Sequence, residues 1–208
     1  MKRSSPTGSE MPGREEVIYY LNGLWLLIRG RSEGFQWLDL SDRGFWRSWW
    51  AIFYCLPPIL LDLWGTRAVY LQGMPENTHL GNGFWSGLLF LDLLSWTAPY
   101  AILYAAMSAA GYASHFRPAV VLLNWLSVPV QWALMAISVS LIVAPANVDL
   151  QASIALVLYL VSGYAHVMVM LQLTERKALP ATAFVIAITA GSMLTQYYAI
   201  DALGLSFG

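Results

Sequence analysis

Five predominantly apolar stretches, at about residues 46–64, 84–110, 118–144, 152–173 and 181–203, follow one another with only short breaks. Each has the roughly 20 residues that a helix needs to cross a hydrocarbon core of about 30 Å. Lipid offers the backbone no hydrogen-bond partners, and a helix satisfies its own amides. Composition agrees: AVILMFWYC make up 58% of the 208 residues and DEKR only 11%, where soluble domains carry roughly a quarter charged residues. A water-soluble globule of this size could not hide so much apolar surface. The sequence therefore predicts an all-α membrane protein, a bundle of five transmembrane helices forming one domain over 46–203. The second and third stretches exceed what a bilayer requires, so those helices should tilt, kink or emerge into the interface.

Charge and cysteine content exclude other classes. A formal net charge of −1 supplies no basic surface for polyanions, so no nucleic-acid partner is expected. The single Cys55 lies in an apolar run and permits neither an internal disulfide nor a cysteine metal cluster.

Orientation follows from Lys and Arg, which favour cytoplasmic loops. Lys2, Arg3, Arg14, Arg29, Arg31, Arg43, Arg47, Arg117, Arg176 and Lys177 all fall on one side of a five-span topology, and only Arg67 falls on the other. The N-terminus should be cytoplasmic and the C-terminus external. Absence of a processed leader and the short chain suggest a bacterial inner membrane, with residues 204–208 as a short periplasmic tail.

Residues 1–12 are polar and rich in Ser, Pro and Gly, and read as a disordered cytoplasmic tail. Within residues 13–45, positions 14–29 read as an interfacial amphipathic helix. Val17, Tyr20, Leu21, Leu24 and Ile28 recur at spacings of three and four, with Glu15 and Glu16 in the first turn and Arg29 in the last. Too short to span comfortably, it should lie in the cytoplasmic interface or across the bundle's inner mouth. Aromatic rings then alternate with charges up to the first span, and Asp39, Phe45 and Trp46 read as a membrane anchor or a contact for a cytoplasmic partner. Residues 65–83 should form the one sizeable external loop, broken by several glycines and Pro75.

Polar groups inside spans need a reason, since a central charge costs about 2.5–3.5 kcal/mol on insertion scales. Asp92 lies well inside the second stretch. It reads either as an ion or proton site or as a carboxylate paired with Arg67 or neutralised between helices. The second reading, paired with Arg67 or neutralised and hydrogen-bonded between helices, is preferred, because no other carboxylate lies at that depth and no Lys or Arg is intramembrane. Asp62 and Asp201, with Asp92 and Arg67, read either as a polar cluster in the outer half that serves as a cation entry or, preferred, as a solvated rim. Asn124 and His166 can share one depth and hydrogen-bond between neighbouring helices, with Ser162 one turn from His166. A two-histidine haem site is excluded, because His79 and His115 fall in loops on opposite sides. No catalytic motif, metal site or cofactor is expected.

Small residues recur every four positions at Ala183, Ala187, Gly191 and Thr195, and again at Ala101, Ala105 and Ala109. Such stripes let helix backbones approach closely, more often inside a bundle than between copies. Pro57, Pro58, Pro99 and Pro129 should each kink their helix.

Asp39-Leu40 followed by Phe45-Trp46 just before the first span resembles the Asp-Leu-Tyr-Gly-Pro-Phe-Trp segment of the Yip1-like membrane family, with one residue more and Gly44 standing without the Tyr and Pro. Arg176-Lys177-Ala178 is similar to that family's short basic connection. The resemblance implies a five-span scaffold without a catalytic centre, associating with lipids and with other integral membrane proteins or itself. The expected function is thus that of a non-enzymatic scaffold or accessory subunit. The alternative is a small permease or proton- or cation-conducting subunit using Asp92.

Overall fold

The computed structural model describes residues 11–72, 81–144 and 146–202. Among them every regular element is helical. In chain order these are α1 (Arg14–Ile28), a 3₁₀ turn (Ser32–Trp37), α2 (Asp42–Ser48), α3 (Ala51–Gln72), α4 (Asn82–Thr97) and α5 (Pro99–Ala109), then a 3₁₀ turn (Ala113–His115), α6 (Phe116–Val143), α7 (Val148–Leu173) and α8 (Ala178–Ala202). The tails expected at 1–12 and 204–208 fall almost wholly outside the described residues, as do His79 and the rest of 73–80 within the loop expected at 65–83, whose first eight residues are instead helical.

Four segments are long and apolar enough to cross a membrane: Asn82–Ala109, Ala113–Val143, Val148–Leu173 and Ala178–Ala199. The outward faces are as apolar as the interior. On α7, Leu156 is 62% exposed and Leu160 is 65% exposed, with Val157 and Val161 beside them. Facing water, that surface would be an association site; facing acyl chains it is solvated. The chain is an integral membrane protein.

The stretch expected as the first span, at 46–64, is not among these four and is divided between two helices. Ser41 caps α2, its Oγ accepting from the Gly44 N–H at 3.3 Å, so a separate short helix takes Asp42–Ser48. After a turn at Trp49-Trp50, α3 runs on to Gln72, eight residues past the expected end. Gly65 does not stop it. There α3 lies against Ser138 of α6, and an added Cβ would stand 3.4 Å from the Ser138 carbonyl oxygen.

Prolines interrupt the helices less than expected. α3 continues through Pro57 and Pro58, and α6 through Pro129. Only Pro99 marks a break, at the α4–α5 junction, where it opens α5. A proline leaves the carbonyl four residues earlier without its helical donor. Neighbouring side chains take two of these carbonyls: Trp132 Nε1 of α6 donates to Tyr54, four before Pro58, at 3.0 Å, and Ser192 Oγ of α8 donates to Ser95, four before Pro99, at 3.4 Å. Pro99 thus ties α4 to α8.

α6 is the central post of one end of the bundle. Every residue from Ala119 to Leu126 is buried, so that stretch has no lipid-facing side. α1 completes the enclosure by packing on α6 and α7, burying Val17, Tyr20, Leu24 and Leu27. The 3₁₀ turn folds back onto α1 at a close glycine crossing, where a Cβ on Gly34 would stand 2.4 Å from the Gly23 carbonyl oxygen.

Candidate functional site

Away from α1, the helices separate around a cavity of about 270 Å³. Its wall includes Asp62 from α3, Asp92 and Ser95 from α4, and Tyr100 from α5. α6 adds Ser127 and Gln131, α7 adds His166, and α8 adds Ser192 and Gln196. An apolar cavity of about 150 Å³ stays dry and holds benzene. This one is larger and polar, so water or a hydrophilic ligand can occupy it.

The two ends of the chamber differ. Asp62 and Gln196 are exposed, so the chamber opens beside them. The opposite end is closed by a chain of buried hydrogen bonds. Tyr100 OH donates to Asn124 Oδ1 at 2.7 Å, Asn124 Nδ2 donates to Ser48 Oγ at 2.9 Å, and Ser48 Oγ donates to the Phe45 carbonyl at 2.7 Å. A carboxamide keeps its N–H protons, so this chain is a plug and not a proton wire. Ser127 extends the same polar seam, donating to the Asn124 carbonyl at 2.7 Å and lying 3.7 Å from Cys55 Sγ.

Asp92 lines the chamber, without the Arg67 pairing that the sequence offered as one alternative. Its Oδ2 is buried with no hydrogen bond. Arg67 instead stacks over the Trp64 ring, 5.6 Å from its centroid. The carboxylate that shares the chamber is Asp62, which accepts from Ser138 Oγ at 2.7 Å. Ser95 Oγ, one turn from Asp92, is also buried without a partner. The Asn124–His166 bond expected between helices is absent. Asn124 serves the plug, and His166 Nδ1 lies 2.8 Å from the Ser162 carbonyl of its own helix. A carbonyl only accepts, so that nitrogen carries the proton, leaving Nε2 as the acceptor in the neutral ring. Sequence reading missed Gln131, Ser192 and Gln196. Their signal was polar pairs at helical spacing in otherwise apolar runs: Asp92/Ser95, Ser127/Gln131 and Ser192/Gln196.

The small-residue stripes split. Gly191 is buried where α8 crosses Pro99, and an added Cβ would stand 3.5 Å from the Pro99 Cα. Ala187 is half-buried, but Ala183 is exposed. Ala101, Ala105 and Ala109 all face outward, a correction to the internal role expected of them, because α5 turns Leu103 and Met107 inward instead. Larger apolar side chains bury more area at that interface, and α5 offers one face only.

The segment around Asp39 is a built turn. Asp39 Oδ1 accepts from the Ser41 N–H at 3.1 Å and from Ser41 Oγ at 2.5 Å. Phe45 packs inward, edge-on to Trp49, whereas Trp46 is 69% exposed. Beside this turn lies an ion pair that sequence reading did not find. Arg47 donates through both terminal nitrogens to Glu16, at 2.6 and 2.8 Å, and Tyr20 OH donates to the same carboxylate at 2.5 Å. Burial raises the Glu16 pKa, but the hydrogen bonds from Arg47 and Tyr20 and the positive field of Arg47 and Arg43 outweigh it, leaving the carboxyl below its ordinary 4.5. The pair fastens α1 to α2 and so holds the closed end of the bundle in place.

No three or more His, Cys, Asp or Glu side chains converge as a metal-binding group among the described residues. Comparison with protein-family models, with curated proteins and with solved structures finds no match to the chain.

Proposed function

We propose that this chain is a five-span membrane protein whose bundle binds a small polar solute in the chamber and acts as a permease or as the solute-binding subunit of one. The observation that carries the reading is the convergence of polar side chains from separate apolar helices on one cavity, two of whose oxygens, Asp92 Oδ2 and Ser95 Oγ, are buried without partners. Unsatisfied polar atoms at membrane depth are costly and mark substrate pathways. α3 is the fifth span in this reading. Its 22 residues extend about 33 Å at 1.5 Å each, enough for the hydrocarbon core, and the basic residues then all face the cytoplasm except Arg67. The chamber opens externally and the plug of Tyr100, Asn124 and Ser48 lies on the cytoplasmic side, beneath α1.

A thermal-shift screen of purified protein against small cationic, neutral and anionic solutes tests this. At least one class stabilises the native chain, by about 2.7 kcal/mol at a hundredfold excess over Kd, and does not stabilise Ser192→Trp, whose indole fills the chamber. Uptake of that solute into proteoliposomes follows. A chain that no class stabilises is not a solute-binding protein.

The second reading is the Yip1-like scaffold, in which the protein associates laterally with lipids and other membrane proteins. It is favoured by the outward-facing alanines of α5, at positions 101, 105 and 109, one turn apart on a lipid-directed face. This reading stands if the screen finds no ligand.

A further inference from the structure

The chamber's chemistry selects among solutes. Its wall contains two carboxylates and, among the described residues, no Lys or Arg. An anion entering it would meet Asp62 and Asp92 with nothing positive to offset them. Asp92 Oδ2 and Ser95 Oγ are the two buried oxygens left over, spaced three residues apart on one face of α4. Ser95 is 9% exposed and lines the cavity, so its hydroxyl is held at the chamber wall rather than in water. A carboxyl oxygen and a hydroxyl oxygen can both accept hydrogen bonds, so one donor can satisfy the two, and beside two acidic side chains a positively charged donor is favoured.

Volume and lining separate an organic cation from an inorganic one. A bare metal ion needs several oxygens converging within about 2.6 Å, and the carboxylates and histidine here do not converge. The cavity of about 270 Å³ far exceeds such an ion. Between its polar groups the wall is hydrocarbon and aromatic, with Leu56, Ile59, Leu93, Ile188 and the ring of Trp96. Aromatic rings attract ammonium groups, and apolar walls hold a carbon skeleton.

We propose that the solute is a small organic ammonium ion, its N–H groups donating to Asp92 Oδ2 and Ser95 Oγ and its hydrocarbon part lying against the apolar wall. This rests on the chamber being a solute site and adds the charge and size of what enters it.

Titration calorimetry of the full-length protein in nanodiscs tests the assignment, with 2-phenylethylammonium chloride as probe, 2-phenylethanol as its uncharged near-isostere and sodium chloride as the inorganic cation. The ammonium binds saturably and the alcohol at least roughly tenfold more weakly, the loss expected when a charge-assisted hydrogen bond is removed. Asp92→Asn weakens the ammonium by a similar factor and leaves the alcohol unchanged. Ser95→Ala, which removes one atom and tests the site if Asp92→Asn does not fold, weakens the ammonium by several-fold. Equal binding of alcohol and ammonium overturns the cation assignment and leaves the chamber standing as a neutral-solute site. Displacement of the ammonium by millimolar sodium overturns it in favour of an inorganic ion. Absence of saturable binding by any of the three overturns it as well, and the broader thermal-shift screen then decides whether the chamber binds another class.

Discussion

Gly44→Ala is expected to destabilise the protein by about 3 kcal/mol or more. A Cβ at this position would lie 1.8 Å from the Asp39 carbonyl oxygen and 2.6 Å from its carbon. Both are backbone atoms, so no rotamer change relieves the contact. Nor can Asp39 move freely, since its side chain holds the Ser41 N–H and hydroxyl. Relief requires unwinding the first turn of α2, which would release Phe45 from the core and Ser48 from Asn124. Chemical unfolding of the purified protein in detergent measures the loss. A cost below about 1 kcal/mol would mean that the turn before α2 is not the tight structure described. The same contact explains the local sequence: Asp39 closes the turn, and Gly44 lets the chain pass it.

Glu16→Gln should be nearly as damaging. Removing one partner of a buried ion pair strands the other charge, typically at a cost of about 3–5 kcal/mol. The Arg47 side chain is 6% exposed and that of Glu16 30%, so the stranded guanidinium is well buried while water screens part of the pair. The expected loss is therefore at the lower end, about 3 kcal/mol. Acid should reproduce it. The Glu16 pKa is depressed in the folded state, so its contribution is fully present above the ordinary 4.5 and disappears as pH falls through the lower folded value. Unfolding followed at stepwise lower pH should show this acid slope in the native chain and a shallower one in Glu16→Gln. Identical slopes would remove the pair from the account of how α1 is held.

Apolar period and length made the membrane class legible, because hydrocarbon imposes one solution on the backbone. Helix ends were less so. The break between α2 and α3 depends on Ser41 capping and the Asp39–Gly44 contact, while α3 survives its glycine and two prolines because neighbours on α6 supply packing and a Trp132 donor. Such tertiary compensation leaves no periodic trace. The site was partly visible: Asp92, Asn124 and His166 stood out as polar residues in apolar runs. Which polar side chains share a cavity depends on helix rotation, and a chain apolar on nearly every face carries little information about that. The same ambiguity explains why Ala101 and Ala105 were expected inside and lie outside.

The solute site depends on a water-accessible polar chamber within the bundle. Its most direct test is thiol modification in membrane vesicles, using Ser192→Cys in a Cys55→Ser background and a water-soluble cationic methanethiosulfonate. Thiolate forms only where water or polar groups support it. Ser192 lines the chamber, while Ile186 lies on the outer face of the same helix and is 66% exposed. Ser192→Cys should be modified rapidly and Ile186→Cys not at all. Failure of Ser192→Cys to react, under conditions that label it fully once the protein is unfolded, would contradict the chamber and the solute site built on it.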